Sequence, residues 1–238
     1  RLWNVDTGEC VYALKGHSAE VNSVVYSPKE GRVASGSYDC TVRLWDVDTD
    51  ECIHTLKGHN GDISSVVYSP KGDRIASGSW DSTVRLCSVD TGACIHILQG
   101  HSSTVNSVAY SPKGDRITSG GTDEIVRLWN VDTGECIHTL QGHSWTVSSV
   151  VYSAKGDQIA FGGWDSTVRL WNVDTGECLA TISGFNNDVS SIALENSFDT
   201  QYLVTGSRDK PVRRWQITKK ELNIRPSYAG VHHIRSSQ

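Results

Sequence analysis

The apolar residues of this chain fall in short runs that are separated by turn residues at regular distances. In one such stretch, β-branched runs at Val21–Tyr26, Arg32–Ser35 and Thr41–Trp45 are followed by Glu51–Leu56. Short runs of this composition, bounded by Gly, Pro, Asp and Ser, are typical of β-strands. The pattern therefore predicts units of four short strands.

Apolar residues occupy both faces of these predicted strands. Val24, Val25 and Tyr26 are consecutive, and Leu44 and Trp45 follow each other in the third strand. A sheet with one face in water alternates apolar and polar residues, whereas a sheet covered on both faces does not. Each small sheet is expected to have a neighbour on either side, and twisted four-stranded sheets stacked in this way fan around an axis as a β-propeller.

The turns repeat as regularly as the strands. Proline in Ser-Pro-Lys suits the second position of a type I turn, and the glycine that follows suits a position with positive φ. Asp-Thr-Gly closes the next predicted hairpin. These turns occur at 27–29, 69–71 and 111–113 with Gly31, Gly72 and Gly114, and at 6–8, 90–92, 132–134 and 174–176. Consecutive strands are therefore predicted to be antiparallel.

A Gly-His pair sets the period of the repeat. It stands at 16–17, 58–59, 100–101 and 142–143, and Gly184-Phe185 takes its place 42 residues later. A fixed period of this length is typical of repeat architectures. We predict an all-β propeller over 1–217, with a half blade at 1–14 and blades at about 15–57, 58–99, 100–141, 142–183 and 184–225, followed by a tail at 226–238. Such a set predicts an open ring with exposed edges.

Composition narrows the classes of partner and compartment. The net charge is −5, and no cluster of Lys or Arg suits a phosphate backbone, so nucleic acid is not the expected partner. No apolar run matches a membrane span or a signal peptide. Seven cysteines, an odd number, fit a reducing compartment, and we predict a cytoplasmic or nuclear location. Because the first residues lie in the middle of a unit, further domains of the same polypeptide are expected.

The Trp-Asp pair at 45–46, with variants at Trp3-Asn4, Trp129-Asn130 and Trp171-Asn172, makes the chain resemble the WD-repeat propeller family. In that family His, Ser or Thr, Asp and Trp of one blade form a hydrogen-bonded network. The resemblance implies two complete networks and three incomplete ones. The complete sets are His17, Ser35, Asp39, Trp45 and His101, Ser119, Asp123, Trp129; the incomplete sets are His59, Ser77, Asp81, then His143, Asp165, Trp171, and then Thr205, Asp209, Trp215.

The incomplete sets lack one member each. Cys87 replaces a tryptophan, Phe161 replaces a hydroxyl residue, and Phe185 replaces a histidine. Since a buried polar group that loses its partner costs about 1–3 kcal/mol, the second, fourth and fifth blades are expected to be less stable than the others.

Hydrolysis and metal binding are the two alternatives to a structural role for these polar residues. His, Ser and Asp together suit a hydrolase, but the set recurs in several blades, whereas catalysis needs one set beside an oxyanion hole. Cys-Ile-His at 52–54, 94–96 and 136–138 offers two metal ligands per strand, whereas structural zinc needs four. We therefore predict no catalytic residues, no metal and no cofactor. The cysteines are interpreted as small hydrophobic residues, too far apart for disulfides.

Positions that vary between repeats are the expected sites of partner binding. The resemblance places two such positions of each blade on the top face around the central channel, where similar positions contact partners in G-protein β subunits. Tyr, Trp and Arg dominate the energetics of interfaces, and several of these positions hold them. The predicted partner-binding residues are Tyr38, Trp80, Thr122, Trp164 and Arg208 before the network Asp, and Glu20, Asp62, Thr104, Thr146, Asp188 and Trp145 after Gly-His. The alternative is that Trp80 and Trp164 lie flat over their own turns.

The resemblance implies a non-catalytic scaffold that presents top-face loops to protein or peptide partners in a signalling assembly. The alternative is a ligand-sensing or docking propeller of a larger enzyme or signalling NTPase whose catalytic domain lies outside this chain. Uniform repeats such as these resemble the propeller portion of fungal NOD-like receptors. The stretch itself contains no G-x-x-x-x-G-K-[ST] loop.

Overall fold

The chain forms small antiparallel sheets in sequence order. The computed structural model describes residues 1–29, 31–197, 200–218 and 223–226, and within these ranges it contains strands and no helix. A two-stranded sheet, β1 (Leu2–Trp3) and β2 (Cys10–Tyr12), comes first. Five four-stranded sheets follow, each with its strands hydrogen-bonded in chain order. We call them blades one to five.

The strands of each blade occupy equivalent positions in the repeat. Blade one is β3 (Val21–Tyr26), β4 (Arg32–Ser37), β5 (Val42–Asp46) and β6 (Cys52–Leu56). Blade two is β7 (Ile63–Tyr68), β8 (Arg74–Ser79), β9 (Thr83–Ser88) and β10 (Cys94–Gln99). Blade three is β11 (Val105–Tyr110), β12 (Arg116–Gly121), β13 (Ile125–Asn130) and β14 (Cys136–Gln141). Blade four is β15 (Val147–Tyr152), β16 (Gln158–Gly163), β17 (Val168–Asn172) and β18 (Cys178–Ile182). Blade five is β19 (Val189–Ser197), β20 (Thr200–Ser207), β21 (Val212–Thr218) and β22 (Asn223–Pro226).

The predicted propeller class is confirmed, and the strand limits differ by a few residues. The second strand of blade one continues to Ser37, two residues beyond the prediction, because Gly36 and Ser37 pair with Val42 and Val21. The turn glycines adopt the expected left-handed backbone, with φ of 76° at Gly31 and 68° at Gly72. Residues 227–238 of the predicted tail lie outside the described residues.

The apolar core lies between neighbouring blades. One cluster joins Leu44 of blade one to Ile63, Val66 and Ile75 of blade two, and equivalent clusters fill the following gaps. The arrangement is open within the described residues. Val24 and Tyr26 on the outer face of blade one are 59% and 62% exposed, whereas the equivalent Val66 and Tyr68 are each 5% exposed.

Polar contacts also connect consecutive blades. The amide of Val66 donates to Ser23 Oγ of the preceding blade at 3.0 Å, and the same contact recurs in each following pair. Arg74 reaches across to Asp132 of the next blade, with 3.1 Å between Nη1 and Oδ1. The sheets are thus joined along both their inner strands and their outer turns.

Close approach of consecutive blades depends on a glycine in the second strand of blades one to four. A Cβ atom added at Gly120 would lie 2.5 Å from Val147 Cγ1 of blade four, whereas the atom nearest to one added at Gly206 of blade five would be Ser191 Oγ of the same blade, at 2.8 Å. A valine packed in a core cannot move away, but a serine hydroxyl can rotate. The absent side chain at Gly120 therefore sets the spacing between blades three and four.

We expect Gly120→Ala to destabilise the protein by about 1–3 kcal/mol, the usual cost of overpacking. Gly206→Ala is the matched control, and we expect it to cost less than about 1 kcal/mol. Urea unfolding followed by tryptophan fluorescence measures both changes. Equal losses of unfolding free energy in the two variants would show that contact with blade four is not the cause of the destabilisation by Gly120→Ala.

Candidate functional site

A buried network of four side chains links the turns of blade one. His17 Nδ1 lies 2.8 Å from Asp39 Oδ2, and His17 Nε2 lies 2.7 Å from Ser35 Oγ. Trp45 Nε1 donates to the same hydroxyl at 2.8 Å. Because an ionised carboxylate can only accept, the proton of the histidine sits on Nδ1, and Nε2 accepts from the serine. Every polar group of the set therefore has a partner.

Blade three repeats this geometry and is more deeply buried. His101 Nδ1 lies 2.9 Å from Asp123 Oδ2, Nε2 lies 2.8 Å from Ser119 Oγ, and Trp129 Nε1 donates to that hydroxyl at 2.8 Å. The side chains of His101 and Asp123 are 0% and 3% exposed. A serine held between tryptophan and histidine and closed off from solvent does not meet a substrate. The network holds the Gly-His turn against the turn between the second and third strands.

Each network aspartate is stabilised in its charged form. Burial raises the pKa of Asp81, but hydrogen bonds from Thr83, Asn60 and His59 outweigh it and bring the pKa down to about 2. The balance is the same at Asp165, where the His143 hydrogen bond is the largest opposing contribution and the pKa is again about 2. Burial lowers the pKa of His59 below its ordinary value. His59 therefore serves as a neutral donor.

The predicted partner-binding positions lie at the same end of the blades as these turns. In every blade the amide of the residue before the network aspartate donates to the carbonyl of a residue in the Gly-His turn. The pairs are Tyr38 with Glu20, Trp80 with Asp62, Thr122 with Thr104, Trp164 with Thr146, and Arg208 with Asp188. We call these five pairs the top-face pairs. In each pair, the residue before the network aspartate holds the first position, and the residue that supplies the carbonyl holds the second.

Two tryptophans of the top-face pairs are exposed and contact side chains of neighbouring blades. Trp80 is 54% exposed and Trp164 is 38% exposed, and Trp145 of the fourth Gly-His turn is 60% exposed. The Tyr38 and Trp80 rings lie 5.8 Å apart, and the Arg208 guanidinium lies 5.5 Å from the Trp164 ring centroid. Arg208 also pairs with Asp188, with 3.4 Å between Nη1 and Oδ2.

One of the predicted partner-binding side chains is buried. Thr146 is 4% exposed, and its backbone carbonyl accepts a hydrogen bond from the Trp164 amide. Glu20 is exposed, and Asp62, Thr104 and Asp188 are half-buried.

The family model of the WD domain, G-beta repeat, matches five times, over residues 8–46, 50–88, 92–130, 134–172 and 176–216. The chain belongs to the WD40 repeat family. Each family repeat begins with the last strand of one blade and ends with the third strand of the next.

A curated relative shares one short part of the chain. The WD repeat-containing protein pop2 of Schizosaccharomyces pombe is 55% identical over 29 residues, which is 12% of this chain and 4% of that protein. The chain thus aligns with a small part of that relative's length.

Blade four departs from the WD40 network most severely. Phe161 stands where Ser35 and Ser119 accept from tryptophan, and its ring stacks on Trp171 at 6.1 Å. His143 Nε2 and Trp171 Nε1 are consequently buried with no hydrogen-bond partner among the described residues. The substitution exchanges two hydrogen bonds for an aromatic contact.

Blade five replaces the histidine by a different pair of contacts. Phe185 packs on Trp215, whose Nε1 donates to Thr205 Oγ1 at 3.0 Å. Arg213 binds both oxygens of Asp209, at 2.8 and 2.7 Å. Arg213 was not among the predicted network residues, because arginine occupies this position in every blade and the sequence alone does not show which carboxylate it meets. In blade two, His59 keeps its bonds to Asp81 and Ser77 at 2.8 and 2.9 Å, and Cys87 is buried in place of the tryptophan.

The Cys-Ile-His stretches link blades. His54 Nε2 donates to the carbonyl of Asp90 in the next blade at 3.1 Å, and His96 and His138 do the same with Asp132 and Asp174. Four of the seven cysteines, which the sequence analysis interprets as small hydrophobic residues, lie at the surface. Cys10, Cys94, Cys136 and Cys178 are exposed, because the outer strand of a blade faces solvent along one edge.

The described residues contain neither a metal-binding cluster nor a membrane-spanning helix. Residues 1–29, 31–197, 200–218 and 223–226 hold no group of three or more His, Cys, Asp or Glu side chains placed to bind a metal ion. The same part of the chain has no helix that is long and apolar enough to span a membrane.

Proposed function

We propose that this protein is a non-catalytic scaffold that binds protein or peptide partners through its top face. WD40 repeats generally mediate protein–protein interactions, and WD40 propellers are typically non-catalytic scaffolds. The observation that carries the proposal is the exposure of Trp80 and Trp164 at equivalent positions of two blades, with the half-buried Tyr38 ring 5.8 Å from Trp80. We further propose a signalling assembly in the cytoplasm or nucleus as its setting, with neither nucleic acid nor membrane as a partner.

Rigid exposed aromatic residues suit an interface. Tyrosine and tryptophan supply large contact areas with few rotatable bonds, so binding orders them at little cost in entropy. The backbone under each is fixed, since the amide of Trp80 donates to Asp62 at 3.0 Å and that of Trp164 to Thr146 at 2.9 Å. The polar loops around these rings would form the rim of such an interface.

Selection from a displayed random-peptide library tests the proposal. We expect binders to the natural protein to lose at least about tenfold in affinity for the Trp80→Ala/Trp164→Ala variant, since removing two interface tryptophans costs well over 1 kcal/mol. The control is Lys71→Ala/Lys113→Ala, which changes two exposed residues in turns at the opposite end of the blades. If binders tolerate the tryptophan variant and lose affinity for the lysine variant, the top face is not the binding surface.

A second candidate is a ligand-sensing or docking propeller within a larger enzyme or signalling NTPase. The near-identity of the second to fourth repeats favours it, because "GECIHTLQGHS" and "ACIHILQGHS" resemble the uniform arrays of fungal NOD-like receptors. A phosphate-binding loop in the adjoining coding sequence would support this candidate, and additional repeats alone would support the simple scaffold.

A further inference from the structure

The contact of Arg208 with Trp164 on the top face resembles a contact that a partner could make. At the boundary of blades four and five, the Arg208 guanidinium lies 5.5 Å from the Trp164 ring centroid and 3.4 Å from Asp188 Oδ2. An arginine held between an aromatic face and a carboxylate is a favourable arrangement for a planar cation. Arg208 keeps this arrangement although its side chain is 62% exposed.

The boundary of blades two and three has the same backbone hydrogen bonds as this one, but a threonine stands in place of the arginine. Trp80 and Trp164 hold the same position in their blades, and Thr122 and Arg208 hold the position that follows each of them, as the matching hydrogen bonds of the top-face pairs show. Thr122 carries no charge and a short side chain. Where blade five brings a guanidinium to Trp164, blade three therefore leaves the equivalent space beside Trp80 open.

The exposure of the two tryptophans agrees with this difference. Trp164, with an arginine beside it, is 38% exposed, whereas Trp80 is 54% exposed even though the Tyr38 ring of blade one lies 5.8 Å from it. An aromatic ring supported by a second ring and open on one face suits a stacked cation.

Each boundary also contains one aspartate at a second position, but on opposite sides. Asp188 is in the same blade as Arg208, and Thr104 is its equivalent at the open boundary. There the aspartate is Asp62, in the same blade as Trp80. The charge of Asp62 acts beyond its own top-face pair, since after burial it is the first of the charges that raise the pKa of Cys40 in blade one.

We infer that the space between Trp80 and Thr122 binds an arginine side chain of a partner peptide, stacked on Trp80 and attracted by Asp62. The inference rests on the proposed function and specifies which residue of the partner the top face recognises. Arginine suits the space better than lysine, because its planar guanidinium stacks on an indole ring, as Arg208 does.

The test uses three pentapeptides with capped ends, Ser-Gly-X-Gly-Ser, in which X is arginine, lysine or citrulline. Each is titrated into protein labelled with ¹⁵N at the tryptophan indoles. We expect the arginine peptide to shift the Trp80 indole signal to saturation, and the uncharged citrulline peptide to bind at least about fivefold more weakly. The affinity of the lysine peptide should lie between those of the arginine and citrulline peptides.

A reciprocal pair of variants supplies the control. Thr122→Arg should fill the space from within and abolish the Trp80 response, while Arg208→Thr should open a second space and make the Trp164 signal respond as well. Thr122 and Arg208 are both exposed, and the amide signals of each variant report whether the fold is kept.

Equal binding of the arginine and citrulline peptides would overturn the inference, and so would an undiminished Trp80 response in Thr122→Arg or the lack of any saturable shift. In each of these cases the library selection still decides the proposed function. Peptides selected on the top face without an arginine would support the scaffold and exclude this specificity.

Discussion

Acidification below about pH 4 should unfold the protein over a narrow range, with most of the stability lost by about pH 2. Five carboxylates cause this, one in each blade: Asp39, Asp81, Asp123, Asp165 and Asp209. Each is charged and hydrogen-bonded in the folded state, and each has a lowered pKa. The Arg213 side chain is the main cause at Asp209, which has a pKa of about 2.

The sign of the effect follows from comparing the folded and unfolded states. An aspartate has an ordinary pKa of 3.8, and Asp81 and Asp165 have a pKa of about 2 in the folded protein. The unfolded chain thus binds protons first, so the stabilisation is fully present above about pH 4 and is lost as the pH falls toward 2. Solvent screening reduces the contribution of each of these two to about 1–2 kcal/mol. His59 also causes a loss of stability as the pH falls below its ordinary pKa of 6.5, because burial lowers its pKa in the folded state.

Urea unfolding at a series of pH values measures this dependence. We expect Asp81→Asn to be less stable at pH 7 and to show a shallower fall in unfolding free energy between about pH 4 and 2. Curves that run parallel for the two proteins would show that Asp81 does not contribute to acid unfolding.

Ser119→Ala should destabilise the protein by about 2–4 kcal/mol, although it removes a single oxygen atom. Ser119 is 0% exposed, and its hydroxyl is the shared partner of His101 Nε2 and Trp129 Nε1, each at 2.8 Å. Without it, two buried polar atoms lose their hydrogen bonds at once. Blade four shows the result of such a loss, since His143 Nε2 and Trp171 Nε1 are unpaired beside Phe161.

Ser102→Ala is the control for this substitution. Ser102 belongs to the same network, but it donates to Asp123 through its backbone amide, at 3.1 Å, and is exposed. We expect it to change the unfolding free energy by no more than about 0.5 kcal/mol. A similar small change in Ser119→Ala would contradict the view that the network contributes to stability.

The sequence predicted those features that depend on spacing within one repeat. The strands of each blade follow from the apolar runs, and the turns from Ser-Pro-Lys and Asp-Thr-Gly. The contacts of His17 with Ser35 and Asp39 join residues 18 and 22 positions apart within one repeat, and the resemblance to the WD-repeat family implied them.

The features that the sequence did not predict depend on how one blade lies against the next. The contacts of His54 with the Asp90 carbonyl and of Arg208 with Trp164 join side chains of different sheets. Their existence follows from the twist between sheets, which no local pattern encodes. For the same reason the exposure of Cys94, Cys136 and Cys178 does not follow from the sequence, since it depends on which edge of the outer strand meets solvent.

The contacts between blades have a consequence for how such chains change in length. His54 bonds to Asp90 at a separation of 36 residues, Val66 to Ser23 at 43, and Arg74 to Asp132 at 58, and the same separations recur along the array. Recombination that removes or duplicates one 42-residue unit would therefore rejoin each of these residues to an equivalent partner. Genetic exchange between repeats can alter the number of blades and shuffle the residues of the top-face pairs while the inter-blade contacts stay intact.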